Sequence, residues 1–501
     1  MRPRLRAQRG PRDAHRRGAL EFLRLRGHQR HARLPSLPGL KPGRCTSSAR
    51  WPYLAAFPGQ SPDLLRLVAA RPELFPCLLQ STLQGKQGRY DLLFADPGER
   101  LVLWPDGRLE GPHAGDDGFL AALDRWFHAE RRDLPDDRVP GPFAGGWILY
   151  LGYELAAEIE PVLSLPPPHR PVAIAVRVPA AIVLDHQAGR ILVVDEQKDP
   201  VRLRELLHLA QGCTAACAPV PETPLPGGAC REEPPERYLE GVRRVLHYIR
   251  EGDVFQVNLS RQWWIDYRTA PDPVRVYGAL RRANPGPFNG LALFDDFALL
   301  SSSPERLVEV HGPVIRTRPI AGTRPRGRHP EDDLRLRAEL HAHPKERAEH
   351  VMLIDLERND LGRVCRPGSV RVSECMALET YAHVHHIVSE VRGRLKEGTT
   401  PGDVIRALFP GGTITGCPKV RCMEIIAELE ERPRGAYTGA LGYLDRRGRL
   451  DLNILIRTLV QEGDRLHFRA GAGIVADSDP GRELEETRAK ARGLLRALGM
   501  A

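Results

Sequence analysis

Between residues 55 and 495, strand-like and helical runs are mixed without the strict βαβ alternation of a doubly wound sheet, and this limits the fold more than any other feature: the pattern predicts an α+β chain. Arg89–Phe94, Leu101–Trp104 and Ala173–Leu184 read as strands, Gly118–Ala129 as a helix, and Gly146–Tyr153 is apolar enough for a buried strand. A Pro- and Gly-rich stretch at 211–234 has no periodicity and reads as a linker or crossover between a region 51–210 and a region 235–501. Beyond it, Pro235–Arg250 carries Leu239, Val242 and Leu246 at helical spacing. Strands are expected at Gly290–Leu300, Leu307–Val310, Val314–Pro319, Tyr381–Val391, Tyr437–Leu444, Leu452–Val460 and Leu466–Val475. Helices are expected over Glu331–Leu356, interrupted at Pro344, over Pro418–Glu430, and from Asp479-Pro480 onward.

The chain carries a net charge of +9, but the charge is concentrated at one end. Residues 1–50 hold thirteen Arg and one Lys against Asp13 and Glu21, a net of +12, which leaves −3 for residues 51–501. A nucleic-acid-binding body would carry a basic face of its own, so no nucleic-acid partner is expected and residues 1–50 read as a basic, disordered extension. No run approaches the ~18 apolar residues of a membrane span, and the N-terminus lacks a secretory apolar core. Nine cysteines without a C-x-x-C pair need no disulfide framework, and the expectation is a reducing cytoplasm with no membrane partner.

Several residues could carry chemistry. Glu349 and Glu486 lie on separate expected helices, and two such carboxylates, completed by ligand oxygens, make a Mg²⁺ site; helix glutamates are more often simply solvated. Phe409–Lys419 is a Gly-rich loop feeding a helix, able to hold an anion through free N–H groups and Lys419, although it lacks the Gly-Lys adjacency of a P-loop. Gly471 and Gly473 could admit a ligand close to the backbone, or mark only a turn. His383 and His385 would share one strand face and His386 the other, which makes zinc closure awkward; His386 alone is an acid–base candidate or a core histidine. Glu305 could be a general acid if burial raised its pKa, or pair with Arg306. Arg457 follows an apolar run and needs an anionic partner from protein or ligand. No nucleophile elbow is present.

Taken together, Asp253–Ser260, Ser303-Pro-Glu-Arg306, Arg318-Pro-Ile-Ala-Gly-Thr-Arg324, Asp355–Arg363, Gly411–Arg421 and Gly471–Ser478 resemble, in order, the motifs of the chorismate-utilising enzymes. Leu78–Ser81 and Gly145–Tyr153 resemble that family's N-terminal region. The resemblance implies a two-lobed chorismate-binding fold with large antiparallel sheets flanked by helices, the catalytic domain at 235–501. It implies Mg²⁺ on Glu349 and Glu486 to offset charge beside a dianionic substrate. Arg457, Tyr437 and the Gly471-Ala472-Gly473 backbone would hold the enolpyruvyl carboxylate, with Lys419 and Lys490 adding positive charge, and Gly322 and Thr323 would border the ring. Glu305 would protonate the leaving hydroxyl, and His386 matches a histidine implicated in anthranilate chemistry. Where the water-using branch has a base lysine this chain has Gln256, so ammonia is the expected nucleophile, delivered by a separate glutamine amidotransferase subunit. Asn258, Asn453, the Thr413–Lys419 wording and Val384-His-His386 resemble aminodeoxychorismate synthase component I; Ala321, where many of those enzymes carry a lysine nucleophile, resembles anthranilate synthase component I, which stays open as the alternative. A protein that binds chorismate without turnover is the remote third reading. Ser81 and Pro287-Phe288-Asn289 match a possible tryptophan site.

Overall fold

Period-two burial on both faces builds the two sheets. In Gly146–Leu151, Trp147, Leu149 and Leu151 enter one apolar core while Ile148 and Tyr150 enter another, which is why the segment reads as one unbroken apolar run. Tyr90–Ala95 divides likewise, with Leu92 and Phe94 on one side and Leu93 and Ala95 on the other. The computed structural model describes residues 53–56, 62–82, 88–132, 141–212, 227–327, 329–380 and 384–500. The expected extension 1–50, most of the Pro- and Gly-rich stretch, and His383 lie outside them.

Strands pair antiparallel throughout both sheets among the described residues. The first sheet runs Tyr53–Ala56, Arg190–Asp195, Ala180–Asp185, Tyr90–Ala95, Cys77–Gln80, Phe288–Leu293, Ala298–Ser303, Thr458–Glu462, Arg465–Ile474, Gln256–Asp266 and Ala229–Glu232, with Gly416–Cys417 paired onto the start of Gln256–Asp266. The second runs Ile320–Pro325, Val384–Arg394, Val314–Thr317, Arg306–His311, Leu450–Asn453, Ala440–Asp445, Gly146–Leu151, Ala173–Val178, Arg100–Leu103 and Leu109–Glu110, with Arg371–Thr380 also on Val384–Arg394. Both sheets therefore draw strands from both sides of 211–234, so that division does not separate the sheets into two bodies.

The sheets face each other through Phe94, Ile148, Tyr150, Ile174, Leu299, Leu441 and Tyr443. Phe143 meets Phe94 edge-on at 5.0 Å and Tyr443 at 5.8 Å, a packing whose loss in Phe94→Ala would cost about 3–5 kcal/mol. Helices cover the outer faces: Pro200–Gly212, Pro273–Ala283 and Pro480–Ala497 on the first sheet, Phe119–Glu130, Pro344–Val364 and Pro401–Leu408 on the second. Pro235–Glu251 and Lys419–Glu430 share a further core with Gln256–Asp266 and Arg465–Ile474. Helix starts follow sequence signals: Asp479 accepts from the Arg482 N–H, and Thr400 and Asp403 close a reciprocal cap. Pro344 ends the helix Pro330–Ala342 and opens Pro344–Val364, as the interrupted pattern predicts.

Four strand expectations change. Ala173–Leu184 is two strands in different sheets, Ala173–Val178 and Ala180–Asp185, parted at Pro179. The run Leu452–Val460 is two strands in different sheets, Leu450–Asn453 and Thr458–Glu462. The chain crosses between them at 454–457, held by Ser303 Oγ on the Ile454 carbonyl at 2.6 Å and Ser302 Oγ on the Arg457 carbonyl at 3.1 Å. An apolar run conceals such a crossing because strand and link are both buried. Gly290–Leu300 is a hairpin, Phe288–Leu293 and Ala298–Ser303. Tyr437 precedes the strand Ala440–Asp445 in a turn whose Arg434 carbonyl accepts the Tyr437 N–H. The strand Arg371–Thr380 was not foreseen; much of it is exposed, so its apolar signal is weak.

Candidate functional site

The crossing between the sheets sets the site. Arg457 adopts a left-handed backbone, φ +50°, uncommon for a residue with a side chain and a form of local strain found at functional positions. Its guanidinium makes no hydrogen bond or ion pair among the described residues; its titratable neighbours are Glu305 and His386. Burial lowers its pKa, opposed by the Glu305 charge. A desolvated guanidinium without a bonded carboxylate is poised for an anionic ligand.

Glu305 follows Ser303, whose hydroxyl accepts its main-chain N–H at 3.2 Å. The carboxyl is buried, accepts Thr413 Oγ1 at 2.9 Å and the Ile320 N–H, and is pushed up to about 7 chiefly by desolvation. Arg306, which could have neutralised it, pairs instead with Asp451 at 2.9 Å and Glu309 at 2.8 Å. Near neutral pH Glu305 can therefore hold a proton and give it up, as a general acid must.

His386 is buried on Val384–Arg394, in register with Thr323. Burial first, and the Arg457 charge second, hold it down at about 4, so it is neutral at physiological pH. A main-chain hydrogen bond joins it to Gly322, which lies at a register shift in Ile320–Pro325. Gly322 has φ +71° and would place a Cβ 2.9 Å from Glu346 Oε2 and from Leu340, so both conformation and space require glycine. His385 instead bonds Thr380 Oγ1 at 2.9 Å and Asp333 at 3.0 Å.

Gly471 and Gly473 lie inside the strand Arg465–Ile474, in register with Ser260 and Asn258, and not in a turn. A Cβ on Gly473 would sit 2.3 Å from Gln256 Nε2, and that amide donates to Glu349 Oε1 at 2.9 Å. A Cβ on Gly471 would sit 2.8 Å from the Tyr437 hydroxyl, and the Gly471 carbonyl accepts Lys490 Nζ at 2.9 Å. Lys490 also pairs with Glu486 at 2.8 Å, one helical turn away. The strand with Ala472 between its glycines is thus where Tyr437, Gln256, Glu349, Lys490 and Glu486 gather, drawn from separate parts of the chain. Burial raises the Tyr437 hydroxyl to about 12, so it remains a donor.

Glu349 and Glu486 offer oxygen donors from two helices, the hard-ligand chemistry Mg²⁺ prefers. Among the described residues no cluster of three His, Cys, Asp or Glu could hold a metal, so an ion here would draw on substrate and water oxygens, as Mg²⁺ commonly does. The donor set fits.

Lys419 is not free: it pairs with the buried Asp360 of Pro344–Val364. The Gly-rich loop before it reaches the acid through Thr413, a contact that sequence reasoning missed because the loop's glycines suggested only an anion cradle. Ser81 and Pro287–Asn289 do come together: Asn289 is in register with Gln80, its Nδ2 donates to Thr82 Oγ1 at 3.0 Å, and the Ser81 N–H donates to Asp91 at 3.1 Å. Phe288 lies under the Arg306 guanidinium at 4.9 Å.

Residues 77–496 match the family of chorismate binding enzymes. Anthranilate synthase component 1 of Thermus thermophilus is 41% identical over 446 residues, 87% of this chain and 94% of the relative. Aminodeoxychorismate synthase component 1 of Bacillus subtilis is 40% identical over 444 residues, 83% and 90%. The crystal structure of anthranilate synthase component I from Streptococcus pneumoniae TIGR4 superposes with a TM-score of 0.72 at 31% identity, covering 82% of this chain and 93% of that one. No helix among the described residues is long and apolar enough to cross a membrane. The chain belongs to the chorismate binding enzyme family and is a chorismate-utilising enzyme of the group that includes anthranilate synthase component I and aminodeoxychorismate synthase component I.

Proposed function

We propose that this enzyme aminates chorismate to 4-amino-4-deoxychorismate, as aminodeoxychorismate synthase component I acting in the cytoplasm with a partner glutaminase that supplies ammonia for 4-aminobenzoate and folate synthesis. The observation that carries the chemistry is the juxtaposition of Glu305, a buried carboxyl near its neutral point, with Arg457, a half-buried guanidinium without a bonded carboxylate among the described residues. In this reading Arg457 and the Tyr437 hydroxyl bind the enolpyruvyl carboxylate against the Gly471–Gly473 backbone. Lys490 adds positive charge to the site, whereas Lys419 is engaged by Asp360. Gly322 and Thr323 border the ring, and His386 stands at its edge as a neutral imidazole. Glu305 gives its proton to the departing ring hydroxyl, which leaves as water while ammonia forms the new carbon–nitrogen bond and releases a proton. Mg²⁺ held by Glu349 and Glu486 would neutralise the ring carboxylate. Gln256 is an amide, which is no base for water, so ammonia is the nucleophile.

Anthranilate formation is the second reading. Ala321, buried and in register with Ile387, brings no amine to the ring, and most of the similar relatives are named anthranilate synthase component 1. Ser81 and Pro287–Asn289 would then hold tryptophan as a feedback ligand, seen as inhibition competitive with chorismate. The experiment is product identification from chorismate, Mg²⁺ and high ammonium with and without aminodeoxychorismate lyase. 4-Aminobenzoate that forms only with the lyase supports the first reading, and anthranilate from this chain alone establishes the second. No product from either incubation overturns both.

A further inference from the structure

The two carboxylates that fit a divalent cation stand on helices that cover different sheets. Glu349 is on Pro344–Val364, packed on the second sheet, and Glu486 is on Pro480–Ala497, packed on the first. Mg²⁺ demands near-ideal ligand distances, so the gap between these carboxylates has to be set across the two layers. The strand Arg465–Ile474 supplies the reference for both. Lys490 pairs with Glu486 at 2.8 Å and donates to the Gly471 carbonyl at 2.9 Å. Two residues along, Gly473 lies against the Gln256 side chain, whose Nε2 donates to Glu349 Oε1 at 2.9 Å.

Gln256 is 4% exposed and gripped from three elements. A Cβ on Gly473 would fall 2.3 Å from its Nε2, a Cβ on Gly416 would fall 2.0 Å from its main-chain carbonyl oxygen, and Cys422 Sγ donates to that carbonyl at 3.0 Å. The Glu349 carboxylate fixes which way the amide faces: only Nε2 can donate to it, so Oε1 must point elsewhere. There Oε1 is buried and meets no donor among the described residues. A buried acceptor left unmet costs free energy, and packing alone would favour an apolar side chain of the same length. We propose that Gln256 is a positioning residue for the metal site, its amide fixing the Glu349 carboxylate at the distance from Glu486 that a divalent cation requires. Position 473 is glycine because a side chain there would push that amide off Glu349.

The inference rests on Glu349 and Glu486 being the metal ligands, and the test separates the two claims. Mn²⁺ is the probe: its binding to the full chain, with chorismate present and ammonium omitted, is followed by the electron paramagnetic resonance of the free ion, and Tm is measured alongside. Wild type should bind Mn²⁺ in competition with Mg²⁺, and Glu486→Ala should lose that binding. No Mn²⁺ on wild type, or wild-type binding in Glu486→Ala, overturns the metal reading and the inference with it. Gln256→Met keeps the length of the side chain but removes both the donor and the unmet oxygen. It should weaken Mn²⁺ binding roughly 10- to 100-fold without lowering Tm. Gly473→Ala, which keeps the amide but displaces it, should weaken binding in the same direction, and adding it to Gln256→Met should change little more. Wild-type affinity in Gln256→Met overturns the positioning role while leaving the metal reading intact. Weaker binding together with a lowered Tm assigns the contact to the fold and overturns it as well. Should Gln256→Met fail to fold, Gly473→Ala decides by the same criteria.

Discussion

Two groups of buried charge flank the strand Arg465–Ile474 and its approaches, and they are built on opposite principles. Around Glu430 every charge is answered. Its carboxylate accepts Ser260 Oγ at 2.8 Å and N–H at 2.9 Å, Arg434 at 2.7 and 3.0 Å, and Arg469 at 2.7 Å. Burial pushes its pKa up, yet Arg434 and Arg469 more than offset that, and it stays below the usual carboxylate range. Around Arg457 the charges are left open: Glu305 is neutral-leaning and the guanidinium makes no ion pair among the described residues. A closed knot holds the strands Gln256–Asp266 and Arg465–Ile474 to the helix Lys419–Glu430, whereas an open one retains its electrostatic attraction for a ligand.

Removing the acid should have the largest effect. Glu305→Gln is expected to lower turnover about 10²–10⁴-fold with an unchanged circular-dichroism spectrum; wild-type turnover would remove the acid assignment. Substituting one arginine from each group sharpens the contrast. Arg457→Ala should lower kcat/KM roughly 10- to 100-fold with little change in Tm, since no protein carboxylate is bonded to it among the described residues. Arg434→Ala should instead destabilise the fold by about 3–5 kcal/mol, because Glu430 would be left buried with one partner fewer, and thermal melts of the two variants would expose any reversal.

The metal reading comes next in size. Glu486→Ala should raise the Mg²⁺ concentration needed for half-maximal turnover by at least about tenfold, and an unchanged titration would remove Glu486 from the metal site.

Stability against pH gives the smallest signal and the cleanest sign. Because Glu305 is raised from 4.5 to about 7 in the folded chain, its neutral form favours folding below pH 4.5, and that contribution is lost as pH rises through 7. Glu305→Gln should therefore be more stable than wild type near pH 8, on the order of 2–3 kcal/mol, and no more stable near pH 4. Glu430 is lowered, so its contribution is present above the ordinary carboxylate pKa and is lost on acidification. Glu430→Gln should thus destabilise most at neutral pH. Denaturant midpoints at the two pH values check both signs.

Much of the fold was legible because its strands announce themselves by apolar runs and its helices by proline and acidic caps, as at Asp479-Pro480 and Pro344. Sheet membership was not legible. Leu452–Val460 reads the same whether it is one strand or two, and only the serine hydroxyls of Ala298–Ser303 on the Ile454 and Arg457 carbonyls show where the chain changes sheets.

The same division holds at the site. Residue types along the chain were enough to put forward Glu305, Arg457, His386, Glu349 and Glu486 as candidates, and the family resemblance supplied the role expected of each. Whether those side chains are charged, paired or free depends on neighbours far away in the chain. Lys419 turns to Asp360, Thr413 to Glu305, Gln256 to Glu349, and Arg306 away from Glu305 to Asp451. By itself the sequence determined the α+β pattern and the chemical kinds of residue available. The tertiary structure alone decided which of them are neutralised by protein and which are left for substrate, because desolvation and charge pairing act through distance in space, and spacing along the chain does not encode that distance.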